Sequence, residues 1–286
     1  MNTYSSAVIG CGRMGGFIDN ETVGSRIVTL PFSFASGFVA CDRTQLVAGC
    51  DIRQGVLSEF GKRYSLGDQH LYEDYRDLID NECPEILGVA TMPEHRAEIM
   101  IYAAEHGVKA IYAEKTMVAS MVQADDVVEA VERNGVVFNM GTGFRWHPGF
   151  DTIKHLIDSG DLGNLRDMVM FYSNGINQHG IHALDLAMYL NNDVPAASVQ
   201  ATLVDPGDGP IDGVMVKDPD VRGIVEFEND VTAHLLVAAF GDEQSIYCEN
   251  GYLGAFGQRQ HWILRRFMPG SDKGKGDLIP EQFPYF

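Results

Sequence analysis

Two histidines and an aspartate stand three apart in "NGINQHGIHALDLAMYL", Asn174–Leu190: His179, His182 and Asp185. On a helix that spacing sets them along one side. Imidazole exchanges protons near neutral pH, so the trio has three readings: a metal site, part of a catalytic apparatus, or a buried helix that happens to hold two histidines. A metal needs three or four converging ligands, and no other His, Cys or Asp set has telling spacing, so none is expected. Asp185 is expected to cap, orient or hydrogen-bond backbone.

A second group of residues points to a nucleotide. "VIGCGRMGG" contains GxGxxG as Gly10, Gly12 and Gly15. Glycine lets a tight turn leave a strand, brings the backbone near a pyrophosphate and faces a helix N-terminus to its charge. Plain turns carry glycines too, but this run follows the first strand candidate, which is the setting a dinucleotide loop requires. Asp51, ending "LVAGCD", is placed to accept hydrogen bonds from the adenosine ribose hydroxyls, which favours NAD; Arg53 keeps NADP open. Contacts are expected from Gly10, Gly12, Arg13, Met14, Asp51 and Ile52. Gly15 and Asp51 lie 36 positions apart, against roughly 20 in the usual pattern. The excess falls in "FIDNETVGSRIVTLP", read equally as an inserted loop or helix start near the cofactor phosphates and as a tolerated surface insertion.

The elements that must carry these residues alternate in the first half. "SSAVIGCG", "TQLVAGCD", "EILGVAT", "VKAIYAEKTM" and "VVFNMGT" are strand candidates; "HRAEIMIYAAEHG" and "SMVQADDVVEAVERNG" are helices, the second ending at Gly135. Such alternation implies a doubly wound parallel sheet, an α/β Rossmann domain over 1–142. The second half opens with a helix after Pro148, then the strand "RDMVMFYS" and the helix of the opening motif. Beyond Leu190, "AASVQATLVD", "VRGIVEFEND", "VTAHLLVAAF", "QSIYCENG" and "HWILRRF" read as consecutive strands, with "GDGPIDG" and "PGSDKGKGD" as loops. Residues 143–286 are therefore expected to form an α+β domain with a mainly antiparallel open sheet, and apolar residues on both alternations, as in "TAHLLVAAF", imply that an oligomer covers its second face.

Composition narrows the function classes. The 286 residues are 45% hydrophobic and 21% charged, with a formal net charge of −19. A surface that acidic repels phosphate backbones and anionic lipid, so neither nucleic acid nor membrane is an expected partner. The five cysteines form no CxxC pair and read as core residues in a reducing compartment. With no signal-peptide pattern, the cytoplasm is the expected location.

At "AEKTM" the chain resembles a known family. Glu114, Lys115 and Thr116 resemble the EKP signature of the glucose-fructose oxidoreductase / inositol dehydrogenase / MocA (Gfo/Idh/MocA) oxidoreductases, with threonine in place of proline. "ATMPEHRAE" resembles the family's turn, with Thr91, Pro93 and His95. "GFRWHPGF" resembles its arginine-aromatic segment, with Arg145, Trp146 and Pro148. "GDLGNLRDM" and "GIHALDLAMYL" resemble the start of its second domain and its GvH helix. The resemblance runs in order from about Ser6 to Leu190.

That resemblance implies hydride transfer between NAD(P) and a ring hydroxyl or ketone of a sugar, sugar derivative or cyclitol, in a homodimer or homotetramer. It makes Lys115 and His182 the catalytic pair. It assigns Thr91, Pro93, His95, Glu114 and Lys115 to the cofactor, and Arg145, Trp146 and Gln178 to the substrate, while His179 is read either as a substrate contact or as a satisfied helix-start histidine. Trp146 and Arg145 fit interdomain packing equally well, and His147 is expected at the surface or between domains. The family often has an aspartate where Gln178 stands, and glutamine cannot accept a proton at neutral pH. Two other functions stay open: reduction of a non-sugar small molecule, and a non-catalytic NAD-binding sensor or assembly subunit.

Overall fold

A computed structural model describes residues 3–25, 28–205, 210–211, 214–215, 217–239, 241–268 and 277–284. The chain divides into two compact units, Met1–Gly141 and Thr142–Phe286.

Unit 1 is built on six parallel strands: β1 (Tyr4–Ile9), β2 (Thr44–Cys50), β3 (Leu71–Tyr72), β4 (Ile86–Val89), β5 (Ala110–Ala113) and β6 (Val137–Met140). Their spatial order is β3-β2-β1-β4-β5-β6. The order reverses between β1 and β4, which is where an open α/β sheet holds a ligand at its carboxyl edge. Ala7, Val8 and Ile9 are all buried, as a strand covered on both faces requires. β3 is the sixth strand where sequence showed five; two residues are too few to display a period.

Six helices belong to this unit: α1 (Asp19–Thr22), α2 (Phe34–Ala40), α3 (Gln54–Tyr64), α4 (Tyr75–Glu82), α5 (Pro93–Glu105) and α6 (Met121–Asn134). Ser120 caps α6 by accepting from Gln123 N, and Gly135 ends it at φ +65°. The long stretch after the glycine run has a definite structure. A wide helical turn, Arg13–Phe17, leads into α1; the chain leaves at Val23 and resumes helix at α2. Buried Asp19 gathers the returning segment: its carboxylate accepts from Phe32 N (2.7 Å), Ser33 N (3.2 Å) and Ser36 Oγ (3.0 Å).

Unit 2 carries α7 (Pro148–Asp158) and α8 (Ile181–Leu190) with β7 (Leu165–Tyr172), β8 (Ala196–Asp205), β9 (Pro210–Ile211), β10 (Val214–Met215), β11 (Asp220–Phe227), β12 (Thr232–Val237), β13 (Gln244–Cys248), β14 (Gly251–Phe256), β15 (His261–Met268) and β16 (Asp277–Glu281). Eight strands form an open sheet in the order β16-β15-β14-β13-β7-β12-β11-β8, antiparallel except for the β12–β7 pair. Phe150, Ile153, Met168, Met170, Tyr172, Leu186 and Leu190 form its core. The helix expected over 174–190 opens with a wider turn, Gly175–Gly180, before α8. β14 and β16 were not anticipated: β14 holds glycines at Gly251 and Gly254, and β16 contains Pro280 and is exposed throughout. The "GDGPIDG" segment is not wholly loop, since β9 pairs with β10; residues 269–276 of the other expected loop lie outside the described residues.

Candidate active site

The glycine run leaves β1 in a conformation that requires glycine. Gly10 has φ +88°, and a Cβ there would lie 2.7 Å from the Ala90 carbonyl carbon; a Cβ on Gly15 would collide with Gly10 O. Asp51 stands just after β2 with its side chain 4% exposed. Arg53 Nε and Nη2 each donate to it at 3.0 Å, and so does Arg53 N. This pairing raises the arginine's pKa above its ordinary value. A Cβ on Gly12 would lie 2.8 Å from Arg53 Nη2, so the guanidinium spans the distance from the acid to the glycine turn. The expected acid and glycines are thus together, with Arg53 between them. Arg13 is exposed and donates to Glu21 through Nε at 2.9 Å, which holds that carboxyl below its usual range. Met14 is half-buried and Ile52 is 84% exposed.

At the neighbouring strand ends, one residue that sequence reasoning missed organises several that it named. Arg96, 4% exposed in α5, donates to Thr91 O through Nε (2.8 Å), to Glu114 O through Nη1 (2.6 Å) and to Thr116 O. It therefore clamps the turn after β4 to the segment after β5 that carries Lys115. Burial lowers the pKa of Arg96. Burial also raises that of Glu114, against the opposing charges of Lys115 and Arg96. The Thr91 hydroxyl is buried with no hydrogen-bond partner among the described residues. Pro93 opens α5, and His95 is exposed in its first turn. A signal for Arg96 was present: it lies on the same helical stripe as Met100 and Ala103, where a charge has a reason to be.

In unit 2 the three spaced residues face different partners. His182 begins α8, with its ring 5.4 Å from that of Phe144. Asp185 does not bind backbone: it accepts from Thr142 Oγ1 and from Arg145 Nε at 2.7 Å. Arg145 also donates to both oxygens of Asp193, at 2.6 and 3.0 Å, and these bonds raise its pKa. Arg145 is therefore held by two carboxylates, while its neighbour Trp146 is 68% exposed. His179 Nδ1 lies 2.9 Å from Asn174 O; a carbonyl only accepts, so this nitrogen donates. His147 is half-buried and stacks on Trp262, with ring centroids 5.4 Å apart. Burial, then the charge of Arg259, lowers its pKa.

The turn that delivers these histidines is held by two further residues that sequence reasoning missed. Asp218 accepts from Gln178 N (2.7 Å), Asn177 N (3.0 Å) and Asn177 Nδ2 (3.1 Å), and Asp220 accepts from Gly175 N (2.7 Å). A carboxylate thus lies at the backbone of Gln178, where the resembled family often has an aspartate side chain. Only the acidic pair in "KDPD" hinted at it. No group of three or more metal-ligating side chains occurs among the described residues. No described helix is long and apolar enough to cross a membrane.

Residues 5–142 match the GFO/IDH/MocA family, described as "Oxidoreductase family, NAD-binding Rossmann fold". Inositol 2-dehydrogenase of Salmonella typhimurium is 29% identical over 120 residues, 42% of this chain and 35% of that protein. D-apiose dehydrogenase of Paraburkholderia graminis is 28% identical over 171 residues, 54% of this chain and 44% of that protein. The chain thus spans less than half the length of these curated relatives. Among solved structures, an inositol dehydrogenase homolog from Azotobacter vinelandii, complexed with NADH and myo-inositol, superposes with a TM-score of 0.75 at 18% identity, covering 98% of this chain and 76% of that one. The aldose-aldose oxidoreductase of Caulobacter crescentus gives 0.75 at 19% identity, over 100% and 85%.

Proposed function

Because residues 5–142 belong to the Gfo/Idh/MocA oxidoreductase family, we propose that the whole chain is a nicotinamide-dependent dehydrogenase or reductase of a sugar, sugar derivative or cyclitol. One observation carries this reading: the glycine turn and the buried Asp51 stand at the carboxyl ends of adjacent strands, in the β3-β2-β1-β4-β5-β6 order suited to a dinucleotide. The residues present fit that cofactor. A backbone cradle closed to any Cβ at Gly10 admits a pyrophosphate, an acid awaits the ribose, and the Thr91 hydroxyl awaits a partner. Named inositol and apiose dehydrogenases among the relatives support the polyol class.

When bound, the nicotinamide supplies the hydride acceptor or donor. The chain's own residues handle the proton and the charge. His182 exchanges the proton of the reacting hydroxyl, as a histidine does near neutral pH. The Lys115 ammonium stabilises negative charge on the oxygen. Arg96 positions Lys115 through the carbonyls on either side of it. Asp218 and Asp220 fix the turn from which α8 presents His182. Gln178, His179, Arg145 and Trp146 shape the substrate's surroundings, and NAD is preferred because Asp51 repels a 2′-phosphate. The partner is a small polyol or sugar, in a homodimer or homotetramer acting in the cytoplasm.

The test is a fluorescence titration with NADH and NADPH at fixed ionic strength, followed by turnover on a polyol panel. NADH is expected to bind more tightly. Binding without turnover of any polyol would favour the sensor reading, and tighter NADPH binding would shift the role of Arg53.

A further inference from the structure

Unit 2 buries a cation and an amide that the fold does not use up. Arg259 sits in the turn between β14 and β15 with its side chain only 9% exposed. Its Nη1 is buried with no hydrogen-bond partner, and the nearest counter-charge, Asp242 Oδ2, stands 3.6 Å away. The guanidinium lies over Phe144, 4.5 Å from the ring centroid. The same ring also neighbours Phe150 and His182, each 5.4 Å away between centroids, so Arg259 and the proposed acid/base share Phe144 as a neighbour. Gln244 is the second case. It is fully buried, and neither its amide oxygen nor its nitrogen has a partner among the described residues.

The sheet register places Gln244 on the face that carries the core. Gln244 pairs with Met170 on one side and Ala255 on the other, and Ala255 pairs with Trp262. Directly paired residues share a face, here the helix-covered one, because Met170 and Ala255 are core residues and Trp262 packs on Phe150 and His147. Phe144 packs against this same core and neighbours both Arg259 and His182, so all three polar groups border the helix-covered side of the sheet.

Burying one guanidinium nitrogen and a whole primary amide without hydrogen-bond partners is costly, and such groups persist where a ligand completes them. We propose that Arg259 and Gln244 recognise the carboxylate of an acidic polyol, so that the substrate is a sugar acid (a uronate or aldonate) and not a neutral sugar or cyclitol. The guanidinium fork matches a carboxylate in geometry and charge. Asp242 already answers part of the arginine's charge, which suits a mono-anion better than a phosphate. The amide of Gln244 donates to the same carboxylate or pairs with an adjacent hydroxyl. The inference rests on the dehydrogenase reading for the reaction, though not for binding.

Trp262 provides the probe. Intrinsic fluorescence is titrated with glucuronate, galacturonate and gluconate against glucose, galactose and myo-inositol, with NAD present, and turnover is followed in parallel. One or more acids should bind at least about tenfold tighter than the matched neutral compound, the scale of a hydrogen bond to a charged group. Arg259→Met should lose about 10–100-fold of that affinity while changing neutral sugars little. Arg259→Lys should restore part of it, and Gln244→Leu should weaken acids with the charge intact. If Arg259→Met does not fold, the wild-type preference and Gln244→Leu still decide. Neutral polyols binding as well as acids, equal losses for both, or no acid binding at all would each overturn the assignment. A separate NADH titration tests the dehydrogenase reading, so failure of one is distinct from failure of the other.

Discussion

In the proposed mechanism His182 and Lys115 carry the chemistry, and their substitution separates binding from catalysis. His182→Asn keeps a polar group that holds a hydroxyl but cannot take its proton at neutral pH. The variant should bind NADH as the wild type does and lose about 10²–10⁴-fold in kcat, the usual value of acid–base assistance. An active enzyme indifferent to both His182→Asn and Lys115→Ala would remove the mechanism. Arg96→Met should act at a distance. It keeps the buried stem but drops three carbonyl contacts, so the Lys115 segment is no longer clamped. Loss in kcat should then accompany weaker NADH binding, and Arg96→Lys should recover only part of each, because one ammonium cannot copy the fork. Motifs singled out Lys115 and His182, since the surrounding letters are specific, and Arg96 left the weaker sign of a charge on an apolar stripe. Asp218 and Asp220 left less, because the backbone groups they bind lie 40–45 residues away in the chain, which no residue pattern encodes.

At the scale of elements, the segment between the glycine turn and α2 is held by one carboxylate. Burial alone would push the Asp19 carboxyl up, but hydrogen bonds from Ser33, Phe32 and Ser36 outweigh it and hold the group below its usual value. A depressed carboxyl adds stability above its unfolded pKa of about 3.8–3.9, and the contribution fades as pH falls through the folded value. Asp19→Asn should therefore cost about 1–3 kcal/mol at pH 7 and much less near pH 3, as read by urea unfolding at the two pH values. An equal difference at both would show that charge plays no part. Sequence exposed the anomaly here as a count, 36 positions between Gly15 and Asp51, yet not its solution. The helix after the glycines stops after α1 because the chain turns back to place three donors on Asp19, a tertiary arrangement. Long periodic segments such as α6 were readable because capping and periodicity agree. β3, with two residues, and β14, with its glycines, offered neither.

On the scale of the molecule, the sheet of unit 2 has a face that its own helices do not cover. Along β7, Met168, Met170 and Tyr172 are buried while Val169 and Phe171, on the opposite alternation, are only half-buried. Leu236 on β12, Ile263 on β15 and the tilted pair Tyr247–Tyr252 continue that second face. Apolar side chains on both alternations of central strands call for cover on both sides, and in the proposed homo-oligomer a second copy would supply it. Electrostatics opposes the pairing, since each copy carries a formal charge of −19. Association through this face should thus tighten as salt rises from about 0.01 to 0.15 M, where the screening length falls from roughly 30 to 8 Å. Light scattering across that range should show the dimer or tetramer gaining at higher salt, and Val169→Lys with Leu236→Lys should yield a folded monomer. An assembly held instead by surface ion pairs would weaken with salt, and a wild type that stays monomeric at micromolar concentration would leave the apolar face without its proposed cover.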